Sequence, residues 1–205
     1  MTIHTIGDSH SEFGWTNILG EYDFQISIHR IGPVLCYSFG KEPFSRFKIK
    51  DFKIKDGDSI IFCFGEIDCR SRIGKYVSNI VNYKSMIHGI VKRYFEAIKL
   101  NVDFLNLNLN KICVFNVVPP QRKDYFYIAE DDEYPFLGSD EERMSYTRRF
   151  NKEIKNRCED YNYLFFDVYK EYENDDGFLK EEFSDKKVHI SYPDPLIEFI
   201  KSNIL

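Results

Sequence analysis

The chain is short of paired cysteines, long basic runs and long apolar runs, and each shortage removes a class of protein. Its five cysteines (Cys36, Cys63, Cys69, Cys113 and Cys158) leave an odd count and show no paired metal spacing. Cys63 and Cys113 sit in apolar runs, where cysteine acts as a small buried hydrophobe, so a reduced compartment is the simplest expectation. The five histidines (His4, His10, His29, His88 and His189) add no ligand spacing, so no metal is expected. No basic run stands out against a net charge of -5, which argues against nucleic acid as the main partner. Nothing approaches ~18 consecutive apolar residues, so no membrane span is expected. The amino terminus has no basic region followed by an apolar stretch. No signal peptide is therefore expected, and a cytoplasmic location follows. A glycine-rich phosphate loop is missing after the first apolar segment, which argues against a nucleotide-binding domain.

What is present describes an ordinary globular protein: 43% apolar and 30% charged over 205 residues. That length fits one domain, residues 1–205, with a core large enough for an enzyme. No internal repeat or linker divides it.

Strand and helix patterns alternate. Ile3 to Ile6 reads as a first strand and Ser11 to Leu19 as a first helix, with Phe13, Trp15 and Ile18 apolar. Phe24 to His29 is a second strand, closed by Gly32-Pro33, and a helix is expected from Pro33 to Phe39. The continuous apolar run Ser59 to Phe64 suits a central strand covered on both faces. A long helix is expected from Ile73 to Leu100, then a strand from Lys111 to Val118, ended by Pro119-Pro120. Glu141 to Tyr161 reads as a helix, Tyr163 to Val168 as a fifth strand and Pro195 to Ile204 as a terminal helix. Such alternation implies a parallel sheet with helices on both faces, binding ligands at the carboxyl ends of its strands. The acidic, aromatic segment 123–142 reads as a solvated loop or as a lid over the substrate.

Gly7-Asp8-Ser9 follows the first strand. A serine on a strand-to-helix turn exposes its hydroxyl at the sheet edge, beside backbone N–H groups suited to a developing negative charge. Alone, the same residues also read as a helix cap. Near the other terminus, Asp185 and His189 are four residues apart in a loop before the last helix. A carboxylate–imidazole pair turns a nearby serine into a nucleophile: the imidazole takes the proton, and the carboxylate fixes its tautomer and stabilises its charged form. Next to the nucleophile, His10 is expected to serve structure or substrate contact. Asp8 is expected to order the turn.

Gly7-Asp8-Ser9, Gly65-Glu66-Ile67-Asp68 and Asp185…His189 together resemble the SGNH (GDSL-like) hydrolase superfamily, over residues 7 to 189. The resemblance implies a three-layer α/β/α sandwich around a five-stranded parallel sheet, flavodoxin-like in arrangement. It makes Ser9 the nucleophile and Asp185 and His189 its partners, with no cofactor. A glycine after the second strand supplies an oxyanion N–H in this family; Gly32 fits best and Gly40 is the fallback. The third block departs from the family's Gly-x-Asn-Asp: Ile67 stands where an asparagine donates to the oxyanion. Gly65-Glu66-Ile67-Asp68-Cys69-Arg70 looks like a variant branch, in which Arg70 supplies the missing charge or binds an anionic group of the substrate. Gly65, Glu66 and Asp68 join Gly32 and Arg70 as oxyanion or substrate-binding candidates. The plainer alternative is that the two carboxylates hold neighbouring loops, paired with Arg70 or Arg72.

The implied activity is hydrolysis of small O-acyl esters, O-acetyl groups on carbohydrate foremost, with a small-molecule or glycan ester as partner. Trp15, Tyr125, Tyr127 and Tyr134 are candidates to stack on sugar rings. An O-acyltransferase using the same residues remains open. So does a catalytically idle carbohydrate-binding module that kept the fold, which the Ile67 change favours.

Overall fold

The computed structural model describes residues 1–125 and 133–205. Five strands, β1 (Thr2–Gly7), β2 (Gln25–Arg30), β3 (Ser59–Cys63), β4 (Lys111–Phe115) and β5 (Leu164–Phe166), form one parallel sheet in the order β2-β1-β3-β4-β5. Parallel neighbours need crossovers, and among the described residues six α-helices supply or follow them: α1 (Cys36–Lys41), α2 (Ile73–Tyr76), α3 (Tyr83–Leu105), α4 (Asp140–Tyr161), α5 (Tyr169–Tyr172) and α6 (Asp194–Asn203). The three-layer α/β/α arrangement expected from the alternation is the one found.

Period-two alternation along the strands divides the core in two. Ile60, Phe62 and Val114 face one way, into a layer with Phe39 of α1, Ile90, Val91 and Tyr94 of α3, and Phe150 of α4. Ile61, Cys63, Cys113 and Phe115 face the other way, against Trp15 and against Leu196 and Ile200 of α6. β3 is buried along its whole length, which is why it reads as an uninterrupted apolar run. All five cysteines are buried and free.

Two expected helices differ. Residues Ser11 to Leu19 form no α-helix: they hold parts of two 3₁₀ turns, Ser9–Ser11 and Trp15–Asn17. Gly14 breaks the run at φ +84°, and a Cβ there would lie 2.8 Å from Ile190 Cγ1, so the chain turns at glycine to pass that side chain. The long helix expected over Ile73 to Leu100 is two helices. α2 stops as Val77 turns extended, and Asn82 restarts the helix by accepting the Lys84 N–H at 2.8 Å. The apolar residue between them, Ile80, points into solvent. No helix among the described residues is long and apolar enough to cross a membrane.

Candidate active site

The carboxyl ends of β2, β1 and β3 converge, and the turn after β1 is built first. Asp8 N–H reaches back to Cys63 O at 3.3 Å. The Asp8 carboxylate accepts the His10 N–H at 2.8 Å, and its carbonyl accepts the Ser11 hydroxyl at 2.8 Å. Thr5 Oγ1 donates to Ser11 O at 2.7 Å. These bonds wind residues Ser9–Ser11 into a 3₁₀ turn and leave the Ser9 hydroxyl facing outward from a fixed backbone.

A second turn, Asp185 to His189, is wound on its own carboxylate. Asp185 Oδ1 accepts the backbone N–H of Lys187 at 2.8 Å and of His189 at 3.2 Å, while Oδ2 meets His189 Nδ1 at 2.7 Å. His189 Nε2 then lies 2.8 Å from Ser9 Oγ. The structure therefore joins the three residues in one hydrogen-bonded chain, hydroxyl to imidazole to carboxylate. Two bonds hold the second turn from outside: Gln121 Nε2 donates to Lys187 O at 3.3 Å, and His10 Nε2 lies 3.2 Å from Val188 O.

Burial pushes the His189 imidazole below its ordinary value, and the nearby charge of His10 adds to this against the upward pull of Asp185. Burial would depress His10 as well. There the hydrogen bond and charge of Asp8, the charge of Glu66 and the Val188 carbonyl win, and its pKa is raised. Both His10 ring nitrogens face acceptors, an arrangement that only the doubly protonated ring satisfies by donating twice. The two histidines are thus set apart: His10, its pKa raised, ties the loops together, and His189, its pKa lowered, stands on the serine.

The other candidates fall into two groups. Gly32 lies past the end of β2, where Ile31 N–H binds Gly7 O at 2.9 Å. It therefore flanks the Ser9 turn, at φ +93° with open space around its α-carbon. Gly40, the fallback, sits in α1, where a Cβ would come within 3.0 Å of the Arg93 and Tyr94 backbone; it serves close helix packing instead. Gly65 turns at φ +122°, and a Cβ there would lie 2.8 Å from the Val117 and Phe150 side chains, so the turn has no room for a side chain. Asp68 is fully buried and accepts the N–H groups of Cys36 at 2.6 Å and Tyr37 at 3.2 Å. Its carboxyl caps α1, and burial pushes its pKa up to about 7. That corrects the substrate-binding expectation, because both oxygens are spent on backbone out of solvent's reach.

Arg70 is also committed: its Nε donates to Glu66 Oε1 at 2.8 Å, and its Nη1 donates to Tyr134 O. Burial raises the pKa of Glu66, but Arg70, His10 and His189 outweigh it and hold the carboxylate ionised. Ile67 is buried and donates nothing from its side chain. Of the aromatic candidates, Trp15 is buried between Phe115 and Phe166, with its Nε1 on His10 O at 3.0 Å, and is unavailable to a sugar. Tyr134 reaches Pro33 O at 3.2 Å. Tyr127 and part of the segment 123–142 read as a lid lie outside the described residues.

Phe13 is a site residue the sequence did not reveal. Its ring stacks on His189 at 4.1 Å between centroids, covering the imidazole from solvent. The only signal was an aromatic four positions after Ser9, which reads equally well as a core-facing helix residue. Among the described residues, no group of three or more His, Cys, Asp or Glu is placed to hold a metal ion.

Comparison with solved structures places the fold. An aryl esterase from M. smegmatis superposes with a TM-score of 0.62 at 13% identity, over 100% of this chain and 99% of that one. A GDSL-like lipase from Bacteroides thetaiotaomicron gives 0.58 at 13% identity, over 99% and 87%. An acetylxylan esterase from Geobacillus stearothermophilus gives 0.57 at 12% identity, over 98% and 92%. This is the SGNH-hydrolase fold. No protein-family model matches the chain, and no curated protein matches it by sequence. Within the SGNH fold the β1 and β2 loops of this chain flank Ser9, and the loop before α6 carries Asp185 and His189.

Proposed function

We propose that this chain is a serine esterase of the SGNH type that hydrolyses small O-acyl esters through Ser9, His189 and Asp185. The observation that carries the reading is the unbroken Ser9 Oγ–His189–Asp185 chain, with bonds of 2.8 and 2.7 Å. His189 Nε2 takes the Ser9 proton as Oγ attacks the ester carbonyl, and the oxyanion rests on the N–H groups of Ser9 and Gly32. When the intermediate collapses, the alcohol leaves with the proton from His189. Water, deprotonated by the same imidazole, then releases the acid from acyl-Ser9. Asp185 holds the ring in its tautomer and stabilises its charged form. The likeness to an acetylxylan esterase makes O-acetyl groups on carbohydrate the first substrate class to assay.

Ile67, apolar where the family places a donor, favours one rival reading: an idle carbohydrate-binding module. A fluorophosphonate probe separates the two. Stoichiometric labelling is expected, with the mass shift on the peptide that contains Ser9. Absence of label at excess probe would establish the idle module.

The direction of the His189 shift fixes the pH profile. A base must be neutral to act, so activity is lost as pH falls through the pKa of His189. That pKa lies below the ordinary imidazole value of ~6.5. With a neutral acetyl ester, kcat/KM is expected to be flat at neutral pH and to decline only on the acid side of that value. A midpoint above it would show that burial and His10 do not govern the base.

A further inference from the structure

Arg70 and Arg72 leave the same turn with different fates. Residues Asp68–Arg72 form a π-helical turn after Gly65, a wide turn common at functional sites. Arg70 is neutralised by Glu66, whereas Arg72 has no hydrogen bond or ion pair among the described residues, and its buried Nε has no partner. Its guanidinium is held flat all the same, 3.4 Å from the centroid of Tyr37 and 4.8 Å from that of Tyr76. Asp68 feels the charge of Arg72, but both its oxygens serve α1. A guanidinium desolvated on two aromatic faces, with its donors unspent, is a prepared anion receptor.

It also opens onto space. A cleft of about 350 Å³ lies between Leu35 on one side and Ser71, Arg72 and Tyr76 on the other, under Tyr134 and Pro135. The segments that build it follow β2 and β3, the strands on either side of β1, and Tyr134 above it reaches Pro33 O, next to Gly32, at 3.2 Å. Lys75 lines it too, and the Arg93 guanidinium lies 5.6 Å from the centroid of the same Tyr37 ring. Glu133 is the opposing charge at the rim, accepting the Tyr134 hydroxyl at 2.8 Å.

We propose that this cleft binds an anionic group of the ester substrate, a carboxylate or phosphoryl group, with Arg72 as the principal contact. The proposal rests on the esterase reading for the word substrate, though not for the site itself. It makes the preferred ester an acidic one, such as an O-acylated acidic sugar, and it moves to Arg72 the anion-binding role that the sequence suggested for Arg70.

The test is direct binding to the full-length Ser9→Ala protein by calorimetry, which needs no turnover. Glucuronate is expected to bind at least about tenfold more tightly than glucose, the scale of one charge-assisted hydrogen bond. Adding Arg72→Gln should erase the difference. Arg72→Lys should keep part of it, which also guards against a Gln variant that merely misfolds. Inorganic phosphate as competitor distinguishes the sources: displacement of glucuronate indicates a phosphoryl-accepting site, and no displacement one selective for carboxylate. Equal affinity for glucuronate and glucose, or glucuronate binding unchanged by Arg72→Gln, would overturn the proposal. Glucuronate binding without fluorophosphonate labelling would sink the esterase reading alone and leave the anion site standing.

Discussion

Ser9→Ala is expected to reduce ester turnover by about 10⁵- to 10⁶-fold, with His189→Ala as damaging and the double variant no worse than either. The reason is geometric. Among the described residues, Ser9 Oγ has one base within reach, His189 Nε2 at 2.8 Å. The other imidazole at the site, His10, has both nitrogens engaged by Asp8 and Val188. Among the described residues no second group stands ready to take the proton if His189 is removed, and without Ser9 the base has no hydroxyl to activate. Asp185→Asn should cost less, about 10⁴-fold, because the hydroxyl and imidazole remain while the tautomer is lost. The measurement is steady-state hydrolysis of p-nitrophenyl acetate by purity-matched variants. A Ser9→Ala enzyme within tenfold of wild type would rule out the covalent route. Single losses that multiply in the double variant would show that the residues do not act as one unit.

How much of this was legible in the sequence follows from where the information is local. A strand buried on both faces reads as a continuous apolar run, so β3 declared itself. α4 carries its start signal in Ser139 and Glu142, whose side chains and backbones cap each other, and it was misplaced by one residue at most. Ser9, Asp185 and His189, which the structure joins by hydrogen bonds, could be proposed together because nucleophilic chemistry would demand those residue types in those blocks. The remainder depended on contacts distant in sequence. Gly14 interrupts the expected helix where Ile190 lies against it. Asp68 is a cap rather than a ligand because α1 begins 32 residues earlier, directly over it. Arg70 and Arg72 are indistinguishable as letters; Glu66 and the Tyr134 carbonyl neutralise one, and two tyrosine rings hold the other open.

The second large effect is structural, and it lies two residues before Ser9, in the β1 ladder. Gly7 is the last residue of β1 and pairs in register with Cys63. A Cβ on Gly7 would fall 2.0 Å from Cys63 O and 2.8 Å from Cys63 C. The obstacle is backbone in the central strand of the sheet, so no rotamer change relieves it. β1 and β3 would have to separate at the point where Asp8 N–H bonds Cys63 O, and the Ser9 turn is anchored by that bond. Gly7→Ala is therefore expected to cost about 3 kcal/mol or more, at or beyond the upper end for overpacked cores. That is a large share of a typical domain's stability of ~5–15 kcal/mol. Gly32→Ala is the informative companion, since nothing lies within 4 Å of its added Cβ. It should unfold close to wild type, less the strain of its positive φ, about 1 kcal/mol. Chemical denaturation of the two variants beside wild type reads the difference directly. If Gly7→Ala matched Gly32→Ala in stability, the β1–β3 crossing would have slack. In that case the tight turn that presents Ser9 would owe its shape to the Asp8 hydrogen bonds and not to the absence of a side chain at Gly7.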